Sequence, residues 1–117
     1  MTRDMDLIRT ILIEVEKLPP FQAWPSRELD GHGKEEVIAH IQLAQEAGLV
    51  EAKILPGVDA VILRITNSGY DFLEASKQPT LWEQAKGLVI SNGLPMTIAT
   101  VKTVLQTLVN DALAKLH

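Results

Sequence analysis

A glutamate and a histidine one helical turn apart are the first residues whose types and spacing could support chemistry. Glu36 and His40 lie in a segment with helical periodicity, so both side chains can point at one metal ion. His32 and Asp30 lie just upstream and could add ligands. No ligand motif of defined spacing accompanies these residues. The alternative is a packed His40 beside a solvated Glu36, and we therefore predict neither a metal site nor a cofactor.

Nucleophiles and acid–base groups form no recognisable catalytic pattern. The chain has no cysteine, and its serines do not stand in a G-x-S-x-G elbow. Glu35 and Glu36 are adjacent on a helix and point apart, which is typical of a solvated face rather than of an acid–base pair. Gly31 and Gly33 do not follow a buried strand and do not match a phosphate-binding loop. We therefore expect a protein that is not an enzyme.

Charge bears on whether the partner is a nucleic acid. The net charge is −4, and residues 1–53 hold the whole excess, with six basic and ten acidic groups. Duplex DNA is bound largely through phosphate contacts with Lys and Arg, so this balance disfavours a DNA-binding role. If DNA is bound, we expect contacts from the second helix and from the base of the wing: Lys34, Gln42, Gln45, Lys53 and Arg64.

The elements that must position these residues follow the order helix, short strand, helix, β-hairpin and further helices. Between Pro20 and Lys34 the chain holds a Trp-Pro pair and two glycines, so the first helix of a helix-turn-helix is predicted to be degenerate or absent. Periodicity and turn residues predict helices over 4–17, 34–47, 67–78, 80–91 and 97–116, and extended segments over 21–29, 49–55 and 60–65.

Two segments of the sequence resemble winged-helix regulators. Residues 36–50 are similar to a recognition helix followed by its E-A-G-L-V exit. Residues 63–73 are similar to the L-T-x-x-G-x-x-F-L exit that follows a wing, with Ile65 where leucine is usual. The resemblance implies an α+β, winged-helix-like domain over residues 1–78, with additional C-terminal helices over 79–117 that pack on it or dimerise.

A closer resemblance extends over about residues 3–90. The opening R-D-M-D-L at 3–7, the A-H-I step at 39–41, the E-A-G-L exit at 46–49 and the Y-D-F-L segment at 70–73 are similar to an uncharacterised family of small bacterial, phage and prophage proteins. Trp82 matches the aromatic residue that follows in that family. The resemblance implies a phage-related accessory role and no defined activity.

The last helix carries a broad apolar stripe. Its positions alternate by three and four, as in a coiled-coil seam, which predicts a homodimer, whereas packing on the first helix of the same chain is the alternative. Thr80 and Glu83 match a capping box that would open the preceding helix. The expected dimer contacts are Ile98, Val101, Leu105, Leu108 and Ala112.

These observations together predict how the protein works. No stretch reaches the roughly 20 apolar residues of a membrane helix, and no apolar leader is present, so we expect a cytoplasmic protein without membrane contact. The acidic helix and the apolar hairpin tip, Leu55 to Asp59, favour protein–protein interaction. DNA-binding regulation is the alternative function, and a tip that folds back on the domain is the alternative arrangement.

Overall fold

The computed structural model describes residues 1–116, which contain five α-helices and one three-stranded antiparallel sheet. This confirms the α+β class. The described chain divides into two compact units, Met1–Tyr70 and the residues from Asp71 onward; the domain boundary after residue 78 stays a prediction. The elements are α1 (Met5–Glu16), β1 (Trp24–Pro25), α2 (Lys34–Glu46), β2 (Val50–Leu55), β3 (Asp59–Ile65), α3 (Asn67–Ser76), α4 (Pro79–Ser91) and α5 (Ile98–Ala114).

The first unit packs two helices against the sheet. Asp4 caps α1, because its carboxylate accepts a hydrogen bond from the Leu7 N–H, and the apolar stripe behind the cap is buried. Helix α1 contacts α2 and β3, and α2 contacts both β2 and β3. Ile8, Ile41 and Ile62 bring one fully buried side chain from each of these layers. The core of this unit thus lies between the helix pair and one sheet face.

The sheet has the strand order β1-β3-β2, so β3 is central. Both pairings are antiparallel, and β1 adds only Trp24 and Pro25, opposite Ile62 and Val61. A proline on this edge strand removes no ladder bond from the middle of the sheet. The register between β2 and β3 shifts at Glu51 and Ala52. This bulge lets two consecutive β3 side chains face outward before Ile65 returns to the core.

The stretch between α1 and α2 contains no helix. Besides β1, this stretch holds a bridge between Leu29 and His32, closed by Asp30 and Gly31, both with positive φ (47° and 82°). Asp-Gly is the preferred pair for a type I′ hairpin turn, which requires positive φ at both central positions. The prediction that the helix preceding α2 is degenerate or absent is therefore confirmed.

The two sequence segments that resemble winged-helix exits meet at one junction. Gly48 ends α2 with a φ of 77°, a conformation that favours glycine. The Thr66 hydroxyl donates to the Gly48 carbonyl and accepts from the Gly69 N–H, while the Thr66 N–H donates to the Leu49 carbonyl at 2.9 Å. A Cβ at Gly69 would overlap the Leu49 carbonyl oxygen. The residues of both motifs therefore have a structural role, because they join the end of α2 to the start of α3.

The second unit is a helical assembly in which α4 packs against α5. Phe72 and Trp82 meet edge to face, with ring centroids 6.0 Å apart. Thr97 caps α5 through a 3.1 Å bond from the Thr100 N–H, as its type and position indicate. The prediction of a capping box at Thr80 and Glu83 was wrong. Helix α4 begins at Pro79, and no side chain caps it. Proline suits the first helical position because it has no N–H.

Candidate functional site

Two of the three cations proposed for DNA contact lie beside carboxylates of the same unit. Lys34 Nζ, at the start of α2, lies 3.7 Å from Asp59 Oδ1 at the start of β3. Arg64 donates to Glu51 Oε1 at 2.7 Å across the β2–β3 ladder. The four side chains remain about half exposed. Exposed ion pairs of this kind contribute little stability. The carboxylates nevertheless offset the positive charge of Lys34 and Arg64 that would attract a DNA phosphate.

The pKa values of these groups follow the pairing. The hydrogen bond from Arg64, reinforced by its charge, lowers the pKa of Glu51, and the same contact raises the pKa of Arg64. The pKa of Asp59 is lowered mainly by the Ser26 hydroxyl at 2.8 Å, then by the Ala60 N–H, with a smaller effect of Lys34. The carboxylates are therefore held in their charged form next to the cations that DNA would need.

The predicted glutamines also have partners in the chain. Gln45 accepts a hydrogen bond from the Ala52 N–H, so its side chain joins α2 to β2 at the position opposite the bulge in β3. Gln42 approaches Glu46 on the next turn at 3.4 Å. Lys53 is exposed on β2. Four of the five residues proposed for DNA contact thus interact with neighbouring groups of the first unit, and the fifth stays a predicted contact.

The tip of the β2–β3 hairpin presents apolar side chains to solvent. Leu55 and Val58 are 63% and 66% exposed, and the Val58 N–H donates to the Leu55 carbonyl, which closes the turn. The alternative in which the tip folds back on the domain is therefore wrong. Pro56 and Gly57 lie between them and are exposed as well. The tip is a small apolar surface carried on a hydrogen-bonded hairpin.

The residues proposed for dimerisation divide into two sets along α5. Ile98, Val101 and Leu105 are buried within the chain and form part of the core. Leu108 is half buried and Ala112 is exposed. Beyond them the last two turns of α5 expose Leu113 at 56%. The amino-terminal half of the predicted seam is therefore used inside one chain, and the carboxyl-terminal half remains accessible to a partner.

His40 is a buried hydrogen-bonding residue rather than a metal ligand. Its side chain has no solvent exposure. The Asp4 N–H donates to Nε2 at 2.9 Å, and Nδ1 lies 2.8 Å from the Glu36 carbonyl. One acceptor and one donor nitrogen correspond to a neutral ring with its proton on Nδ1. Both nitrogens are committed to backbone groups, so the pairing of Glu36 with His40 at a metal is excluded.

A different set of metal-ligating groups does come together. Asp4, His32 and Glu36 each offer a ligand atom, and these atoms lie within 4.8 Å of one another. His32 Nδ1 is 3.0 Å from Glu36 Oε1, and His32 Nε2 is 3.7 Å from Asp4 Oδ2. Sequence reasoning named His32 and Glu36 but missed Asp4, which is 28 positions upstream of His32. Its role as an N-cap gave no sign of the tertiary contact.

Asp30 does not belong to this set, although it was named with His32. It is exposed and occupies the positive-φ position of the turn that presents His32. Aspartate tolerates this conformation better than most residues. Asp30 therefore shapes the turn, and the cluster consists of Asp4, His32 and Glu36.

The fold and these surfaces define a small α+β protein with a three-stranded antiparallel sheet, a hairpin with an apolar tip and a helical second unit. Within residues 1–116, no helix combines the length and apolar character needed to cross a bilayer. A family model described as "Hypothetical protein (DUF2513)" matches residues 2–95, and the chain belongs to this family.

One relative extends the similarity over nearly the full length. A Haemophilus influenzae protein described as "Uncharacterized protein" is 30% identical over 118 residues, which span 97% of this chain and all of the relative. No solved structure matches the chain. The descriptions of the family and of this relative name no activity. The surfaces described above are therefore the basis of the function proposed below.

Proposed function

We propose that this chain is a non-enzymatic, cytoplasmic binding module that acts by protein–protein interaction through the tip of its hairpin. The observation that carries the proposal is the contrast along that hairpin. Leu55 and Val58 at the tip are largely exposed, whereas Arg64 near the base is paired with Glu51. Burying exposed apolar area stabilises a complex at about 25 cal/mol per Å². A protein groove that receives the tip would gain this term.

A winged-helix arrangement of the first unit is part of the proposal. Helix α2 followed by the β2–β3 hairpin gives the order of a recognition helix and its wing, and the edge strand β1 adds to the same sheet. The absence of a helix between α1 and α2 removes the element that usually crosses the DNA backbone. The resemblance to small phage and prophage proteins supports a role as a phage-related accessory protein.

Substitution of the hairpin tip tests the proposed docking surface. Leu55→Ser and Val58→Ser together should abolish crosslinking to a partner recovered from the native host, since the apolar contact is lost. Ile90→Ser is a matched control, because Ile90 is a similarly exposed aliphatic residue (71%) on α4 of the second unit. Retention of the partner by the tip variant would overturn this surface. Loss with both variants would indicate a nonspecific apolar contact.

DNA binding is the second candidate, and the exposed Lys53 on strand β2 of the hairpin favours it. Fluorescence anisotropy of a random duplex at low salt decides between the two. We expect no binding at micromolar protein. The Glu51→Gln and Asp59→Asn double variant unpairs Arg64 and Lys34, so a gain of salt-sensitive binding there would identify pairing as the cause. Salt-sensitive binding by the unmodified protein would support the regulator instead.

Self-association through the carboxyl-terminal half of α5 accompanies the proposal. Leu113 and Leu116 are 56% and 78% exposed, and they extend the accessible part of the seam beyond Leu108 and Ala112. Light scattering should give a molar mass near twice the 12.9 kDa of one chain, and Leu113→Glu should return it to one chain. A mass of one chain at all concentrations would refute the dimer.

A further inference from the structure

The ring of His32 lies between two carboxylates, and only one of the two contacts is a good hydrogen bond. Nδ1 is 3.0 Å from Glu36 Oε1, which suits an N–H donor. Nε2 is 3.7 Å from Asp4 Oδ2, which is too long for one. A neutral imidazole carries a single N–H. With that proton on Nδ1, Nε2 and the Asp4 Oδ2 atom are two acceptors that lie 3.7 Å apart with no hydrogen between them.

A divalent cation between His32 Nε2 and Asp4 Oδ2 would be bound by both acceptor atoms. Zinc binds imidazole nitrogen at about 2.0–2.1 Å and carboxylate oxygen at about 2.0–2.2 Å. Two ligand atoms 3.7 Å apart can therefore share one ion at a ligand–metal–ligand angle of roughly 125°. We propose that Asp4 Oδ2 and His32 Nε2 bind a first-row divalent metal ion, with Glu36 orienting the imidazole from its other nitrogen.

Glu36 has the position that metal sites give to an orienting carboxylate. A histidine ligand usually donates its second ring N–H to such a group, which fixes the tautomer and makes the ligating nitrogen more basic. The contact between Glu36 and His32 spans one turn, from the loop before α2 into its first turn. It holds the proton on Nδ1 and leaves Nε2 for the ion.

The three side chains are held in place by local structure. Asp4 uses Oδ1 to cap α1, and its N–H is bound by the buried His40, so Oδ2 keeps its aim at His32. The backbone of His32 is fixed by a pair of hydrogen bonds to Leu29 across the Asp-Gly turn. The site is thus assembled by the fold before any ion arrives, which reduces the ordering cost of binding.

The ligand chemistry selects the class of ion. The chain has no thiolate, and one imidazole with carboxylate oxygen suits zinc, copper, iron or nickel better than the oxygen-preferring magnesium, calcium and manganese. All three side chains are partly exposed, so water can complete the coordination.

Calorimetric titration of the full chain with Zn²⁺ tests the site. We expect one equivalent of Zn²⁺ to bind. His32→Gln and Asp4→Asn should abolish binding, and asparagine keeps the helix cap. Glu36→Gln should weaken binding about 10- to 100-fold, as loss of an orienting partner does. Glu35→Gln removes the neighbouring carboxylate of the same helical turn and should leave binding unchanged.

A spectroscopic readout keeps the test independent of the folding of the variants. Co²⁺ added to the unmodified protein should shift or broaden the ring NMR signals of His32 more strongly than those of the buried His40. Absence of Zn²⁺ binding at millimolar concentration would overturn the proposal. Binding that survives in folded His32→Gln, or Co²⁺ effects that spare His32, would equally overturn it by locating the ion elsewhere.

Discussion

Replacing Gly69 by alanine should destabilise the protein, although alanine is the better helix former. Gly69 lies in the first turn of α3 and is buried. A Cβ at this position would overlap the Leu49 carbonyl oxygen and lie 2.7 Å from Ile65 Cγ2. The obstructing oxygen belongs to the backbone and also accepts from the Thr66 N–H. The junction therefore has to open for the methyl group to fit.

The magnitude follows from three terms. Overpacking a closely packed site costs typically about 1–3 kcal/mol, and the rigid backbone partner puts Gly69→Ala at the upper end. Weakening the Thr66 to Leu49 hydrogen bond costs about 1 kcal/mol more, and the higher helix propensity of alanine returns up to about 1 kcal/mol. We expect a net loss of about 3 kcal/mol in the free energy of unfolding, or roughly 12 °C in Tm for a chain of this size.

Urea unfolding measures the effect, with the combined fluorescence of Trp24 and Trp82 and far-ultraviolet circular dichroism as the signals. Gly87→Ala is the matched control, because Gly87 is also helical but a Cβ there meets nothing within 4 Å. That variant should gain up to about 1 kcal/mol. Opposite signs for the same substitution would isolate the close approach at Gly69. A Gly69→Ala midpoint equal to or above that of the unmodified protein would refute the reasoning.

Three further predictions concern stability. His40→Ala should cost about 3 kcal/mol, since it leaves the Asp4 N–H without its acceptor and opens a buried space; thermal unfolding checks this. Because its folded-state pKa is lowered, Asp59 contributes stability that is complete above its ordinary pKa of 3.8 and is lost as pH falls through the folded value. The Tm difference between unmodified protein and Asp59→Asn should accordingly vanish in acid, and a constant difference would contradict it. Thr97→Ala should lower the unfolding free energy by about 1 kcal/mol through loss of the α5 cap, seen as a lower urea midpoint.

The starts and ends of most elements were predictable because short-range rules set them. Asp4 and Thr97 cap the helices that follow them, and Gly48 ends α2 in the left-handed conformation. Asp30-Gly31 forms the turn that its residue types favour. Two of these rules gave different starts for α4. The helix begins at Pro79 and not after a Thr80 cap, because the first helical residue has no intrahelical partner for an N–H and proline has no N–H.

The pairing of side chains distant in sequence was beyond the reach of those rules. Lys34 meets Asp59, and Arg64 meets Glu51, only because α2 lies beside the hairpin and the β2–β3 register brings the latter pair opposite each other. Periodicity identifies which face of a helix is apolar but not which surface covers it. Periodicity therefore marked the apolar stripe on α5, while the burial of Leu105 within the chain was decided by packing in the second unit.

The amino-acid sequence alone determined the α+β class, the order of helices and strands and the missing helix before α2, because capping, turn geometry and periodicity act over a few residues. Tertiary structure alone decided what the polar residues do. The fold buries His40 between two backbone groups and pairs Lys34 with Asp59. It also places Asp4 close to His32 and Glu36. Such contacts depend on how α1, the Asp-Gly turn and α2 pack in three dimensions, which no local pattern specifies.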